Sequence, residues 1–387
     1  YLEHSIRANK REDNMYHAYN IMTVENDAEI SISYLDVMLE GQVAVLSSQY
    51  LSGKESLEVL DAMKNSELFR SDQYSYLLYP AKELPKFLVK NTIPSASVVG
   101  SGLLKQLVED GNKSIIEQDV TGNYHFNGSF NNADVLGEAL DHLPEKYCSM
   151  VDKGKDQVQS IYEEVFNHKA FTGRSGTFYG YEGLGSIYWH MVSKLLLAVE
   201  ESCLLSISAG DSDEVSGQLM EHFYEIHAGI GVDKSPELYG AFPIDPYSHT
   251  PTGKGAQQPG MTGQVKEDIL SRIGELGVSI KNGCIHFNPR LLRASEFLTS
   301  EAELVYSDVN HEHKSLKVES GQLAFLCCQV PVIYTKNNKD GIVISYSTGK
   351  TAYTSRHSLD VTTSQQLFER TGEIERIHVN ISSTDLK

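Results

Sequence analysis

The sequence predicts a mainly α protein, with an α/α array of helices over residues 1–277 and an antiparallel β-sandwich or jelly roll over residues 278–387. Three observations predict it. Apolar residues recur at three-four spacing through much of the first 277 positions. The stretch from Gly183 to Glu201 is apolar on nearly every side, and a helix with no polar face is one that other helices bury. After Gly277 the pattern changes to short β-type runs separated by Asn-Gly, Ser-Gly and Lys-Asp-Gly turns.

Taken in order, Ile32, Leu35, Leu39, Val43, Leu46 and Tyr50 follow one helical face. Ser52-Gly53-Lys54-Glu55 then offers a capping box for a helix running to about Asn65. Further stripes are Leu136, Ala139, Leu140, Leu143, and Val158, Ile161, Tyr162, Val165. Val215, Leu219, Phe223, Ile226 follow an Asp211-x-x-Glu214 start, and Val265, Ile269, Ile273, Leu276 follow Thr262. Inner helices wrapped by outer ones, with loops at one end forming a pocket, is the arrangement these stripes predict. Beyond Gly277, β-type runs at 278–280, 284–287, 304–306, 316–318, 323–330, 332–334, 342–346 and 374–381 predict the second domain.

Charge narrows the function. Lys and Arg number 33 against 52 Asp and Glu, a formal charge of −19. Such a balance repels nucleic-acid backbones and anionic lipid, so neither is an expected partner. No apolar run reaches the ~18 residues of a membrane span. The five cysteines show no CxxC pair and no metal-ligand spacing, which predicts reduced thiols and no metal site. The chain starts at Tyr1 without methionine, which predicts a piece of something longer with an N-terminal remainder; cytoplasmic and periplasmic placement both stay open.

Two loops concentrate the chemistry. The first runs from Phe171 to Gly185 and the second from Tyr239 to Thr262, each rich in glycine, aromatics and hydrogen-bonding groups. Flat aromatic faces suit the C–H faces of a pyranose, and carboxylates, amides and cations suit its hydroxyls. Arg174, Ser175 and Thr177 offer a guanidinium and two hydroxyls for phosphate or clustered hydroxyls, with a self-bonded turn as the structural alternative. Glu182 precedes the apolar helix, whose dipole favours its ionised form, so it reads as a base, a sugar-hydroxyl anchor or a capping carboxylate. Asp245 lies between Ile244 and Pro246, where it reads as a partly desolvated acid or as an Asp-Pro turn. Tyr247, His249, Lys254, Gln257 and Gln258 complete that loop as substrate contacts, stiffened by four prolines. Tyr181, Trp189 and Tyr247 are the stacking candidates, Trp189 with burial in the apolar helix as its alternative.

The phrase from Gly173 to His190 and the phrase Pro259-Gly260-Met261-Thr262-Gly263-Gln264-Val265-Lys266-Glu267 resemble stretches of large bacterial proteins described as cellobiose-phosphorylase-like or six-hairpin glycosidase-like. The resemblance implies a six-hairpin α/α barrel followed by a β-sandwich, the back half of an inverting disaccharide phosphorylase. It further implies a carbohydrate-active enzyme cleaving a glycosidic bond in β-linked gluco-oligosaccharides, with no cofactor beyond inorganic phosphate as co-substrate. In such enzymes a carboxylic acid protonates the glycosidic oxygen while phosphate attacks the anomeric carbon; in an inverting hydrolase water replaces phosphate and a second carboxylate is the base. Asp245 and Glu182 are the candidates for acid and base. A non-catalytic glycan-binding or assembly protein, and a polysaccharide lyase on a similar barrel using Tyr247, His249 and Lys254, are the other readings.

Overall fold

The computed structural model describes every residue except 27, 82, 168–183, 232, 245, 257–263, 338–339 and 383–385. The early chain contains a hairpin of β1 (Asn20–Asn26) and β2 (Glu29–Tyr34), with Met22 opposite Ile32 and Val24 opposite Ile30. Here the structure departs from the expected helix over Ile32–Tyr50. Ile30, Ser31, Ile32 and Ser33 alternate with period two and are β-branched at the apolar positions, which favours a strand. The helix begins only at Leu39, as α1 (Leu39–Ser47), where Leu39, Val43 and Leu46 are buried at three-four spacing. In α2 (Gly53–Lys64) the capping box forms as read: Ser52 Oγ accepts from the Glu55 amide at 3.3 Å and Glu55 accepts from the Ser52 amide at 3.0 Å.

A helical module follows, with α3 (Gly102–Glu109), α4 (Ala133–Asp141) and α5 (Cys148–Phe166). Its buried apolar residues, from Ile93 to Phe166, make a core of their own, including the predicted stripe Val158, Ile161, Tyr162 and Val165. The residues on either side of it share a different core, which joins 15–79 to 187–256 and Leu291. The two flanks meet. Tyr79 bridges Leu184 in parallel, the Gly185 amide donates to Tyr79 O at 3.2 Å, and the Leu78 amide donates to Ser186 O at 2.8 Å. The chain therefore leaves its first body and re-enters it at one point. Periodicity along a sequence carries no mark of such an excursion, and the expected single helical domain over 1–277 instead holds two apolar cores.

After re-entry come β3 (Ile187–Tyr188), α6 (Trp189–Ala209), α7 (Asp213–Ala228), β4 (His249–Thr250) and α8 (Val265–Glu275). Helix α6 is the apolar helix of the sequence, and it packs against α1, α2, α7 and α8. Leu195, Ala198, Val199 and Cys203 on it are fully enclosed. The cap of α7 is Ser212, whose Oγ accepts from the Val215 amide; the expected cap, Asp211, accepts from Ser206 Oγ at 2.8 Å instead.

Helix α8 is inverted relative to its sequence pattern. Val265, Ile269 and Ile273 of the predicted core stripe are 49, 54 and 40% exposed, while Gln264, Glu267, Ser271 and Glu275 are buried. Its polar side faces α6, where Glu200 is buried with one carboxyl oxygen unbonded among the described residues. A side chain on Gly274 would collide with that carboxyl. Burial, reinforced by Glu275 and Glu201, pushes the Glu200 carboxyl up to about 9.

That shift makes stability depend on pH. The folded state holds a proton that the unfolded chain releases above about 4.5, so the contribution is complete below that value. It is lost as pH rises toward about 9. Glu200→Gln keeps the shape and removes the titration. Thermal midpoints of wild type and variant should match most closely near pH 5, and the variant should be the more stable near pH 9. An equal difference at both pH values would count against the buried proton.

The last part begins with two hairpins, β5 (Val278–Lys281) with β6 (Cys284–Phe287), and β7 (Ala302–Ser307) with β8 (His313–Val318). Then come β9 (Gln322–Cys327), β10 (Val330–Lys336), β11 (Gly341–Tyr346), β12 (Thr351–Thr354), α9 (Val361–Phe368) and β13 (Ile374–Ile381). They form a five-stranded sheet in the order β9-β10-β13-β11-β12. The sheet is mixed where an all-antiparallel one was expected: β13 returns beside β10 in parallel, after α9. Residues from Leu276 to Ile381 make the third core. Cys203 is buried, Cys284, Cys327 and Cys328 are half-buried, and Cys148 is exposed.

Candidate active site

The first loop ends and the second begins its return on the same two-stranded ribbon. β3 and β4 pair antiparallel, with Ile187 opposite Thr250 and Tyr188 opposite His249. The Trp189 amide donates to Ser248 O at 3.0 Å, and Thr252 Oγ1 donates to Gly185 O at 2.6 Å. Gly185 sits at φ +64°, where a Cβ would fall 2.8 Å from Thr252 Oγ1 and 3.2 Å from Ala81, so the crossing needs glycine. Residues separated by sixty positions are thereby joined at the N-terminus of the buried helix α6.

The second loop is also pinned from below. Arg70, nearly enclosed, donates to Pro251 O at 2.8 Å and to Lys254 O at 2.6 Å, and forms a two-point pair with Asp72. Gln264 Nε2 donates to Pro246 O at 2.9 Å. Beneath the loop, Lys234 is 6% exposed, with Nζ 3.2 Å from Gln73 Oε1 and 4.7 Å from the centre of the Trp189 ring. Burial, aided by Arg70 and opposed by Asp72, lowers its ammonium to about 8. Neither Arg70 nor Lys234 is prominent in the sequence, because each is brought to the site by a loop packed far from it in the chain.

Of the residues nominated from sequence, Arg174, Ser175, Thr177, Tyr181, Glu182, Asp245, Gln257 and Gln258 lie outside the described residues. Four are placed. Trp189 is 1% exposed, its indole N–H donating to Thr250 Oγ1 at 2.8 Å, so it braces β4 from within the core. That is the burial alternative for Trp189; a ring so enclosed offers no face to a ligand. Tyr247 is 38% exposed, and the Lys254 side chain is exposed. His249 is exposed and stacks on Tyr188, with ring centres 4.4 Å apart and planes 7° apart, and its Nδ1 lies 2.8 Å from Ser248 Oγ. Partial burial holds the His249 imidazole below its usual range. Tyr188 and His190 join this group without having been singled out; the alternation Tyr188, His190 next to His249 in register is the only signal the sequence carried.

The arrangement can present an aromatic face, an imidazole and hydroxyls beside a loop held by the buried Arg70. It suits recognition of a polyhydroxylated ligand.

Residues 84–169 match the family model described as GH149 phosphorylase insertion domain 2. The matched range encloses the separate core of α3 to α5 and lies within the excursion that opens after Tyr79 and closes at Leu184. The match supports a glycoside-phosphorylase-like family for the chain, without singling out the cellobiose phosphorylases. No curated protein matches the chain.

Proposed function

We propose that the chain is part of a glycoside phosphorylase that cleaves β-linked gluco-oligosaccharides with inorganic phosphate. The observation that carries the reading is the phosphorylase insertion match, seated on a module whose two ends close against the ribbon joining the candidate loops. In this proposal Asp245 gives its proton to the glycosidic oxygen as the bond to the anomeric carbon breaks. A phosphate oxygen forms the new bond from the opposite face, giving an inverted sugar 1-phosphate. Arg174, Ser175 and Thr177 hold the phosphate, Glu182 anchors a sugar hydroxyl, and Tyr181, Tyr247 and His249 line the sugar, with Lys254, Gln257 and Gln258 at its rim. In the hydrolytic form of the reading Glu182 would activate water instead.

The six-hairpin barrel and the β-sandwich belong to the same proposal. The exposed stripe Val265, Ile269 and Ile273 supports it, since a helix of such a barrel would bury a stripe of this kind against a neighbouring helix.

Incubation with cellobiose or laminaribiose, with and without inorganic phosphate, tests the reading. Glucose 1-phosphate should accumulate only when phosphate is present. Equal glucose release in both conditions would make the protein a hydrolase. An unsaturated, ultraviolet-absorbing product from a uronate polymer would make it a lyase, and sugar binding without turnover a glycan-binding protein.

A further inference from the structure

His190 stands in the first turn of α6 between the Tyr188–His249 stack and helix α8. Its Nδ1 lies 3.3 Å from the Tyr188 hydroxyl and its Nε2 lies 3.6 Å from Glu267 Oε2. Glu267 is 1% exposed; its Oε1 meets Lys266 Nζ at 3.2 Å, and its Oε2 has no hydrogen-bond partner among the described residues. Apart from its approach to His190, that oxygen is idle, although it belongs to a carboxylate fully taken from water. A carboxylate placed so is a common device for orienting an imidazole and selecting its tautomer.

We propose that Glu267 is a positioning residue, which sets the His190 ring so that Nε2 carries the proton and Nδ1 accepts from the Tyr188 hydroxyl, fixing the Tyr188–His249 stack as a face for the saccharide. Among the described residues, the titratable groups against His190 are Glu267 from α8 and Tyr188 from β3, with Lys266 paired to Glu267 and His249 stacked on Tyr188 behind them. This inference rests on the saccharide reading of the site, and the test separates the two.

Glu267→Gln in the full chain is compared with wild type in two measurements: the 15N spectrum of His190, assigned with His190→Asn, and the kinetics on laminaribiose with phosphate. The Nε2–H tautomer should dominate in wild type and be lost in the variant. KM for the disaccharide should rise about tenfold with a smaller change in kcat. Glu267→Asp, one methylene short, should fall between them, and it takes the same measurements if Glu267→Gln does not fold. A change in tautomer without a change in KM, or the reverse, overturns the proposal. Absence of turnover in wild type sinks the phosphorylase reading alone, and the tautomer then decides whether Glu267 positions His190.

Discussion

Arg70→Leu is expected to lower stability by about 2–5 kcal/mol and to release the second loop. Arg70 makes two kinds of contact, and their magnitudes separate. The pair with Asp72 is short, at 2.8 Å, but Asp72 is 57% exposed. An ion pair open to water on one side contributes about 0–1 kcal/mol. The bonds to Pro251 O and Lys254 O lie on the buried side of the same guanidinium. Losing them leaves two carbonyls without their donor, at about 1–3 kcal/mol each if no water replaces it. Leucine fills part of the volume and restores neither bond. Asp72→Asn, which removes only the charge pair, should therefore cost less than about 1 kcal/mol. Denaturant midpoints of the two variants give the comparison. Similar losses in both would mean that the ion pair dominates and the loop carbonyls do not depend on Arg70. Because Arg70 helps to lower the Lys234 ammonium, its removal should also let that group move up toward the ordinary lysine range.

The sequence made some of this legible and hid the rest for definable reasons. Local chemistry could be read directly: Ser52 and Glu55 close their capping box within four residues, and the apolar surround of Leu195 to Val199 announces a helix enclosed by neighbours. Short β-type runs after Gly277 foretell most strands, because turn residues and alternation are local. Topology was not local. Nothing between Glu83 and Asn167 states that Tyr79 and Leu184 are bridge neighbours, and nothing in Ile374–Ile381 states that it inserts beside β10 in parallel. The site divides in the same way. His249 and Tyr247 stand out through their loop, whereas Arg70, Lys234 and Glu267 act through partners tens of residues or more away in the chain.

Helix α8 shows a second kind of concealment. Three-four spacing identifies which residues share a face, but not which face turns inward. The spacing of Val265, Ile269 and Ile273 is real, and so is that of Gln264, Glu267, Ser271 and Gly274. The choice between them falls to packing. Gln264 bonds Pro246, Glu267 faces His190, and Gly274 admits the Glu200 carboxyl, so the polar face is keyed to α6 and the second loop by specific contacts. An apolar stripe can be buried against many surfaces; these polar groups fit one. The helix is thereby oriented by its polar side, and its apolar side is left exposed.

The end of that helix carries the other large effect. Gly277 follows Leu276, the C-cap of α8, at φ +71°, and turns the chain into β5. Its amide donates to Gly274 O at 2.8 Å and its carbonyl accepts from the Asn288 amide at 2.8 Å. A Cβ there would fall 2.1 Å from the Asn288 carbonyl carbon and 2.3 Å from its oxygen and from Pro289 N. All three are backbone atoms, and proline holds its own φ, so no side-chain rotation relieves the overlap. Gly283, in the turn between β5 and β6, supplies the control: its φ is +76°, yet a Cβ would meet none of the described residues within 4 Å. Gly283→Ala should therefore cost only the conformational penalty of about 1 kcal/mol. Gly277→Ala adds the displacement of 288–289 and should lose on the order of 3–5 kcal/mol. Chemical denaturation of the two variants reads the difference, and equal losses would show that residues 288–289 can yield. If they do not yield, this close approach adds to the other links between α8 and the third core, such as the Tyr334 hydroxyl donating to Leu276 O, and the alanine should lower the unfolding midpoint of both together.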